Sequence, residues 1–328
     1  MQYRKLGQTD LMVSEMGLGC SRIGGNLEGG TRKDSEATLL KAFESGVNFF
    51  DTADSYGQGQ SEAILGKVFQ RQRDQVVFAT KAGYMLSPVG SLAAKAKPIL
   101  KPIIKLVSSR QAGSASNALG EARGSFLRQD FGAAHITKSV ERSLKRLKTD
   151  YIDLFQLHSP PSDVLQSGEP FSVLENLKRQ GKIRYYGVSC DTLEDALTSL
   201  GYPGVSSVQL ELNLLERRPI KDVLPVAQAK GIAVVARQPF ASGKLLKPDT
   251  ISDSDHRQKA EQYLDFASRH GLPITQLSLK LILQLEGVTS VIPGASCLKH
   301  LEDNLQALEG ELLNPAELAM LLSTPVPT

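Results

Sequence analysis

The chain has 328 residues, 41% of them apolar and 22% charged, enough to bury a substantial core and too evenly mixed for a disordered or fibrous protein. Its 38 basic residues stand against 35 acidic ones, and a formal charge of +3 excludes the basic footprint of a nucleic-acid binder. The start lacks the apolar run of a secretory signal, no stretch of about 18 apolar residues is there to span a bilayer, and Cys20, Cys190 and Cys297 show no metal-ligand spacing.

A cytoplasmic protein with free thiols and no stable membrane association is therefore expected. In chain order, short strands at residues 3–6 and 11–14 form an opening pair. Eight β-rich runs follow, at residues 16–20, 47–51, 76–81, 152–158, 183–190, 207–210, 233–237 and 288–293. Between them, apolar residues recur at three- and four-residue spacing over 35–45, 61–69, 136–148, 173–180, 193–200 and 220–230. Gly46, Gly181, Gly201 and Gly231 sit just past such segments, where a left-handed residue ends a helix. A further helix starts near Pro273 and runs toward Glu286, and segments 298–308 and 315–322 close the chain. Strand and helix alternating in this way give an α/β fold with a parallel sheet, a (β/α)₈ TIM barrel with an N-terminal β-hairpin and two extra helices. No linker-like composition divides residues 1–328, which predicts one domain. Residues 84–131 are an insertion after the third barrel strand and are expected to form a lid or loop over the mouth; Pro98 and Pro102 interrupt any continuous membrane-surface helix there.

Barrels of this kind carry their chemistry at the C-terminal ends of the strands. Asp51 ends the second run, Lys81 the third and His158 the fourth, and Tyr56 follows Asp51 on its loop. A phenol with an ordinary pKa near 10 needs help to exchange its proton near neutrality, and an adjacent ammonium favours its ionised form. Lys81 would tune Tyr56, Asp51 would hold Lys81 charged and oriented, and His158 would hydrogen-bond a substrate carbonyl oxygen.

Phe50-Asp51-Thr52-Ala53-Asp54-Ser55-Tyr56-Gly57, Thr80-Lys81 and residues 151–158 together resemble the signatures of the aldo-keto reductase family. The likeness extends from Tyr3-Arg4-Lys5-Leu6-Gly7 to Val291-Ile292-Pro293-Gly294-Ala295-Ser296. It implies reduction of aldehydes or ketones, small-molecule carbonyl compounds, by NADPH, with NADH as the alternative, bound across the mouth without a Rossmann fold. The chain has no G-x-G-x-x-G after its first strand.

The resemblance also implies cofactor contacts. Ser189 and Gln209 match residues that hold the nicotinamide carboxamide. Cys190 departs from the family, which commonly has asparagine there, and Arg237 stands where an aromatic often stacks on the nicotinamide; a planar guanidinium can stack as well, the alternative being a salt bridge at the rim. The loop of Pro239, Phe240, Ser242, Gly243 and Lys244 and the segment of Gly294, Ser296, His300, Asp303 and Asn304 follow strands seven and eight, where barrels often bind phosphate. Backbone N–H groups near Phe240, Ser242 and Gly243 would take the pyrophosphate, with Lys244 or Lys247 supplying charge. Ser296 and His300 would face a ribose 2′-phosphate, and Asp303 and Asn304 the adenine. Gly294 and His300 replace a lysine and an arginine of many family members. Gly294-Ala295-Ser296 is also similar to the potassium-channel β subunits, so a cofactor-sensing regulatory protein with little turnover is the alternative reading; a sugar-phosphate lyase or isomerase on the same barrel would need no nicotinamide.

Overall fold

The computed structural model describes residues 1–24, 31–86 and 127–323. Strands β1 (Tyr3–Lys5) and β2 (Met12–Ser14) pair antiparallel as the opening hairpin. The barrel then begins with β3 (Leu18–Gly19), β4 (Phe49–Asp51) and β5 (Val77–Ala82). A side ribbon, β6 (Tyr84–Leu86) against β7 (Leu127–Gln129), interrupts it. It resumes with β8 (Ile152–His158), β9 (Ile183–Ser189), β10 (Val205–Glu211), β11 (Ala233–Arg237) and β12 (Val288–Ile292). These eight strands lie parallel in chain order, and single bridges from Met16 to Val291 and from Gly19 to Gly294 join the last strand to the first. The expected (β/α)₈ barrel with an N-terminal hairpin is thus the architecture. The run at 16–20 is regular only over Leu18–Gly19 because Gly17 and Gly19 weaken it as a strand.

Period-two alternation decides what each strand offers to the inside. Phe49, Val77, Ala79, Leu154, Ala233, Val235 and Ile292 form one buried cluster with Leu6, Leu11 and Val13 of the hairpin segment, which stoppers the N-terminal end. One step along, Phe50, Phe78, Phe155, Val188, Val208 and Val234 belong to a second cluster between strands and helices. The parity that sends Phe49, Ala79, Leu154 and Val235 inward also sends Asp51, Lys81, His158 and Arg237 inward, at the opposite end. A third cluster lies beneath the final segments, built from Ala241, Leu245, Tyr263, Phe266, Leu277, Leu281 and Leu321 among others.

The helices follow their apolar spacing. Helix Ala133–Leu147 buries Ile136, Ser139, Val140, Ser143 and Leu147, a stripe at three- and four-residue intervals. Helix Arg32–Glu44 starts in a capping box between Thr31 and Asp34. The segment expected at 220–230 is two helices, Arg218–Asp222 and Leu224–Lys230, because Pro225 has no N–H for the carbonyl four residues back. Helix Ser254–Arg269, capped by Asp253 on the His256 N–H, was not foreseen; its buried face of Ala260, Tyr263, Phe266 and Ala267 is hidden in a run rich in charge. Gly46, Gly181 and Gly231 are left-handed, whereas Gly201 is not, since its N–H closes a tight turn on Thr198 and the reversal falls at Gly204. The expected lid begins and ends in the β6–β7 ribbon, and residues 87–126 lie outside the described residues. No helix among the described residues is long and apolar enough to cross a membrane.

Candidate active site

Lys81 is completely enclosed, and an ammonium there is tolerable only with full hydrogen bonding. Its Nζ donates to Asp51 Oδ2 at 2.6 Å and to the Thr52 carbonyl at 2.9 Å. The same nitrogen lies 5.3 Å from the centre of the Tyr56 ring and acts on the phenol through its charge. Asp51 is fixed from two further strands, accepting from Gln209 Nε2 at 2.8 Å and Gln156 Nε2 at 3.4 Å. Strands β4, β5, β8 and β10 therefore converge on one carboxylate.

These contacts set the protonation states. Burial lowers the Lys81 pKa, but the charges of Asp51 and Tyr56 outweigh it and the net shift is upward, so the ammonium persists. Burial raises the Tyr56 pKa; Lys81 opposes that rise, Asp51 adds to it and Arg237 opposes it again. His158 is held well below its ordinary range by burial and by the positive charges of Lys81 and Arg237, so its ring is neutral. Tyr56 and Tyr84 both meet it edge to face, with ring centres at 5.8 and 4.8 Å. His158 Nδ1 is buried and has no partner within the protein.

A cavity of about 740 Å³ opens on this group, a size suited to a sizeable organic ligand. Asp51, Tyr56 and His158 line its floor, and Ser189, Gln209 and Arg237 its wall. It continues past Pro239, Phe240, Ser242 and Gly243 to Gly294, His300, Asp303 and Asn304. Lys244 and Ser296 are not among the lining residues: Lys244 is exposed to solvent, and Ser296 stands behind His300 with its Oγ 3.0 Å from His300 Nδ1. Asn304 donates to the Gly294 carbonyl at 3.4 Å.

Arg237 makes the rim salt bridge that was the alternative to stacking, with partners the sequence did not name. Its Nη2 donates to the Cys190 carbonyl at 3.0 Å and to Asp191 Oδ1 at 2.7 Å, while Ser159 Oγ donates to the same Asp191 oxygen at 2.9 Å. Asp191, Ser159 and Tyr84 all line the cavity, and only the strand register signalled them. Arg237 Nε remains buried without a partner in the protein, a donor for a ligand atom. Ala241, Ser242 and Gly243 are successively left-handed, with φ of 50°, 57° and 92°. Of the six left-handed non-glycine residues described, Gln58, Ser159, Gln238, Ala241 and Ser242 lie in loops at this end of the barrel, and Lys148 ends a helix. Strain gathers where ligands are held. The Gly243 N–H is already spent on the Phe240 carbonyl at 2.9 Å. Among the described residues no group of His, Cys, Asp and Glu is placed to hold a metal ion.

The family model described as Aldo/keto reductase family matches residues 15–323. The chain belongs to the aldo/keto reductase family. This aldo/keto reductase is similar to the uncharacterized oxidoreductase YqkF of Bacillus subtilis, 32% identical over 98% of this chain and 96% of the relative. It is 29% identical to the NADH-specific methylglyoxal reductase of Escherichia coli, with 94% of each chain covered. Among solved structures, it resembles an aldo/keto reductase from Klebsiella pneumoniae in complex with NADP and acetate. That likeness has a TM-score of 0.71, 25% identity and coverage of 100% of this chain and 97% of the other. The enzyme is accordingly an NAD(P)H-dependent oxidoreductase that reduces carbonyl groups.

Proposed function

We propose that the four inward side chains at the mouth divide the work of carbonyl reduction, and that the carrying observation is the single ammonium of Lys81 joining Asp51 to Tyr56. A nicotinamide cofactor, when bound, supplies the hydride. His158, neutral and set beside Tyr56, donates a hydrogen bond to the carbonyl oxygen and orients it. Tyr56 then delivers its proton to that oxygen as the carbon accepts hydride, and the phenolate left behind is stabilised by Lys81 until solvent returns the proton. Asp51, clamped by Gln209 and Gln156, keeps Lys81 charged and aimed.

Ser189, Gln209 and Arg237 would hold the nicotinamide end, with the unpaired Arg237 Nε as one donor. Because Gln209 Nε2 already serves Asp51, its oxygen is the atom left for the carboxamide. The strained loop of Pro239, Phe240, Ser242 and Gly243, with Lys244 at its edge, would carry the pyrophosphate, and Gly294, Ser296, His300, Asp303 and Asn304 the adenosine end. The bond between Ser296 and His300 orients the imidazole for a 2′-phosphate, which supports NADPH over NADH. We place the enzyme in the cytoplasm, as one domain over residues 1–328 with residues 84–131 as a lid, acting on small aldehydes or ketones.

Tyr56→Phe tests the central assignment. Loss of the proton donor is expected to lower kcat by about 100- to 10,000-fold while the Kd for NADPH, read from its fluorescence, stays within about twofold of wild type. Measuring NADPH and NADH consumption side by side over a panel of carbonyl compounds fixes cofactor preference. Retained turnover in the variant would remove Tyr56 from this role.

A further inference from the structure

Directly behind the catalytic group lies a buried set of charges that the reaction does not use. Glu62, with no exposed surface, accepts from Thr80 Oγ1 at 2.6 Å and from Arg146 Nε at 2.5 Å. Asp54 stands beside this pair, close enough to feel both charges, and leaves Oδ1 buried with no partner in the protein. Two buried carboxylates thus lie near one guanidinium, which is paired with Glu62. The other titratable or charged groups on the packed elements are Tyr56, two residues on; Lys81, whose carbonyl accepts from the Asp54 N–H at 3.0 Å; His135, whose Nε2 lies 3.3 Å from Ser139 Oγ; and Lys67, Lys138, Glu141, Arg142 and Lys145, which are exposed to solvent. Burial pushes His135 below its ordinary pKa.

The set touches the turn that carries Tyr56. Gly57, Gln58 and Gly59 follow that residue with φ of 57°, 57° and 86°. At Gly59 a Cβ would lie 2.6 Å from Arg146 Cδ and 2.8 Å from its Nε, so the guanidinium stem is the surface on which the turn rests. A side chain there would meet both a left-handed backbone and that stem. Arg146 cannot swing from Glu62 toward Asp54 without shifting the support beneath the turn.

We propose that Asp54 is a positioning residue: with Glu62 and Arg146 it forms a charge platform under the Tyr56 turn, and its gain or loss of a proton sets how that turn is seated against Lys81. With the proton on, Arg146 belongs to Glu62 alone and the turn sits as described. With the proton off, a second carboxylate competes for Arg146 and draws it from beneath Gly59. Burial, and after it the charge of Glu62, pushes the Asp54 carboxyl up to about 7. The neutral form is therefore the folded form below that pH. An unfolded chain releases the proton near pH 4, so folding takes one up in between. Stability from this site falls as pH rises from about 4 to about 7 and is level above.

The proposal deepens the assignment of Tyr56 and is tested with Asp54→Asn and Glu62→Gln in the full chain. Wild type is expected to lose kcat severalfold as pH passes about 7, with little change in KM. Asp54→Asn abolishes that step, and Glu62→Gln moves it at least one pH unit toward acid. Independently of turnover, the Tm of wild type relative to Asp54→Asn declines between pH 5 and pH 7 and then runs parallel. Parallel Tm curves throughout, or an alkaline step unmoved in both variants, would overturn it. Absence of any carbonyl reduction would sink the catalytic reading instead and leave the Tm comparison to decide this one.

Discussion

His158 shows how a single residue's surroundings choose its chemistry. An imidazole with an ordinary pKa near 6.5 would be about one-quarter charged at neutral pH, yet burial, Lys81 and Arg237 hold this one neutral. It can therefore donate to a carbonyl without carrying a positive charge of its own. The linkage has a sign: the unfolded chain binds this proton below about pH 6.5 and the folded chain does not. The stability belonging to the neutral ring is present above that pH and fades as pH falls. An NMR titration of the His158 ring is expected to show no midpoint between pH 6 and 8; a midpoint there would contradict the charge arrangement around Lys81.

At the scale of elements, the loop after β11 depends on what lies behind it. Ser278, buried on helix Ile274–Gln284, donates to the Pro239 carbonyl, and the same helix packs its Leu277 and Leu281 into the cluster that includes Ala241 and Leu245. Ser278→Ala is expected to cost about 1 kcal/mol of stability and to weaken NADPH binding severalfold with kcat at saturation unchanged. Calorimetric unfolding and fluorescence titration check the two halves. These elements also show what the sequence carried. Asp51, Lys81 and His158 were legible because strand ends in a parallel barrel all point to one rim, and alternation names which residue of each end faces inward. Helix 254–269 was not, since its apolar face is diluted by charge, and Pro225 split a helix whose spacing read as continuous. The bond from Gln209 to Asp51, the Asp191–Arg237 pair and the platform at Asp54 join residues between 8 and 158 positions apart, where no local pattern reports a contact. For Glu62, only packing supplied Arg146, from the helix after the insertion.

For the whole molecule, the opening segment and the last barrel strand are tied together at the face remote from the chemistry. Arg4 donates to the Val288 carbonyl at 2.9 Å and the Leu283 carbonyl at 2.8 Å, and pairs with Glu15 at 3.2 Å. It pins the hairpin segment to helix Ile274–Gln284 and to the last strand, beside the seam where Met16 meets Val291. Arg4→Met is expected to lower stability by about 1 to 3 kcal/mol and to leave kcat and KM alone, as chemical denaturation and steady-state kinetics would show. A change in KM equal to that of a mouth variant would mean that the two ends of the barrel are mechanically coupled.

The hairpin has a consequence for traffic. With Leu6, Leu11 and Val13 packed into the base, the barrel has a blind end, and a dinucleotide and a carbonyl compound must come and go by the same doorway. Two guests sharing one door obstruct each other, so the escape of each product should slow when the other guest is in place, a dependence that product-inhibition kinetics would show.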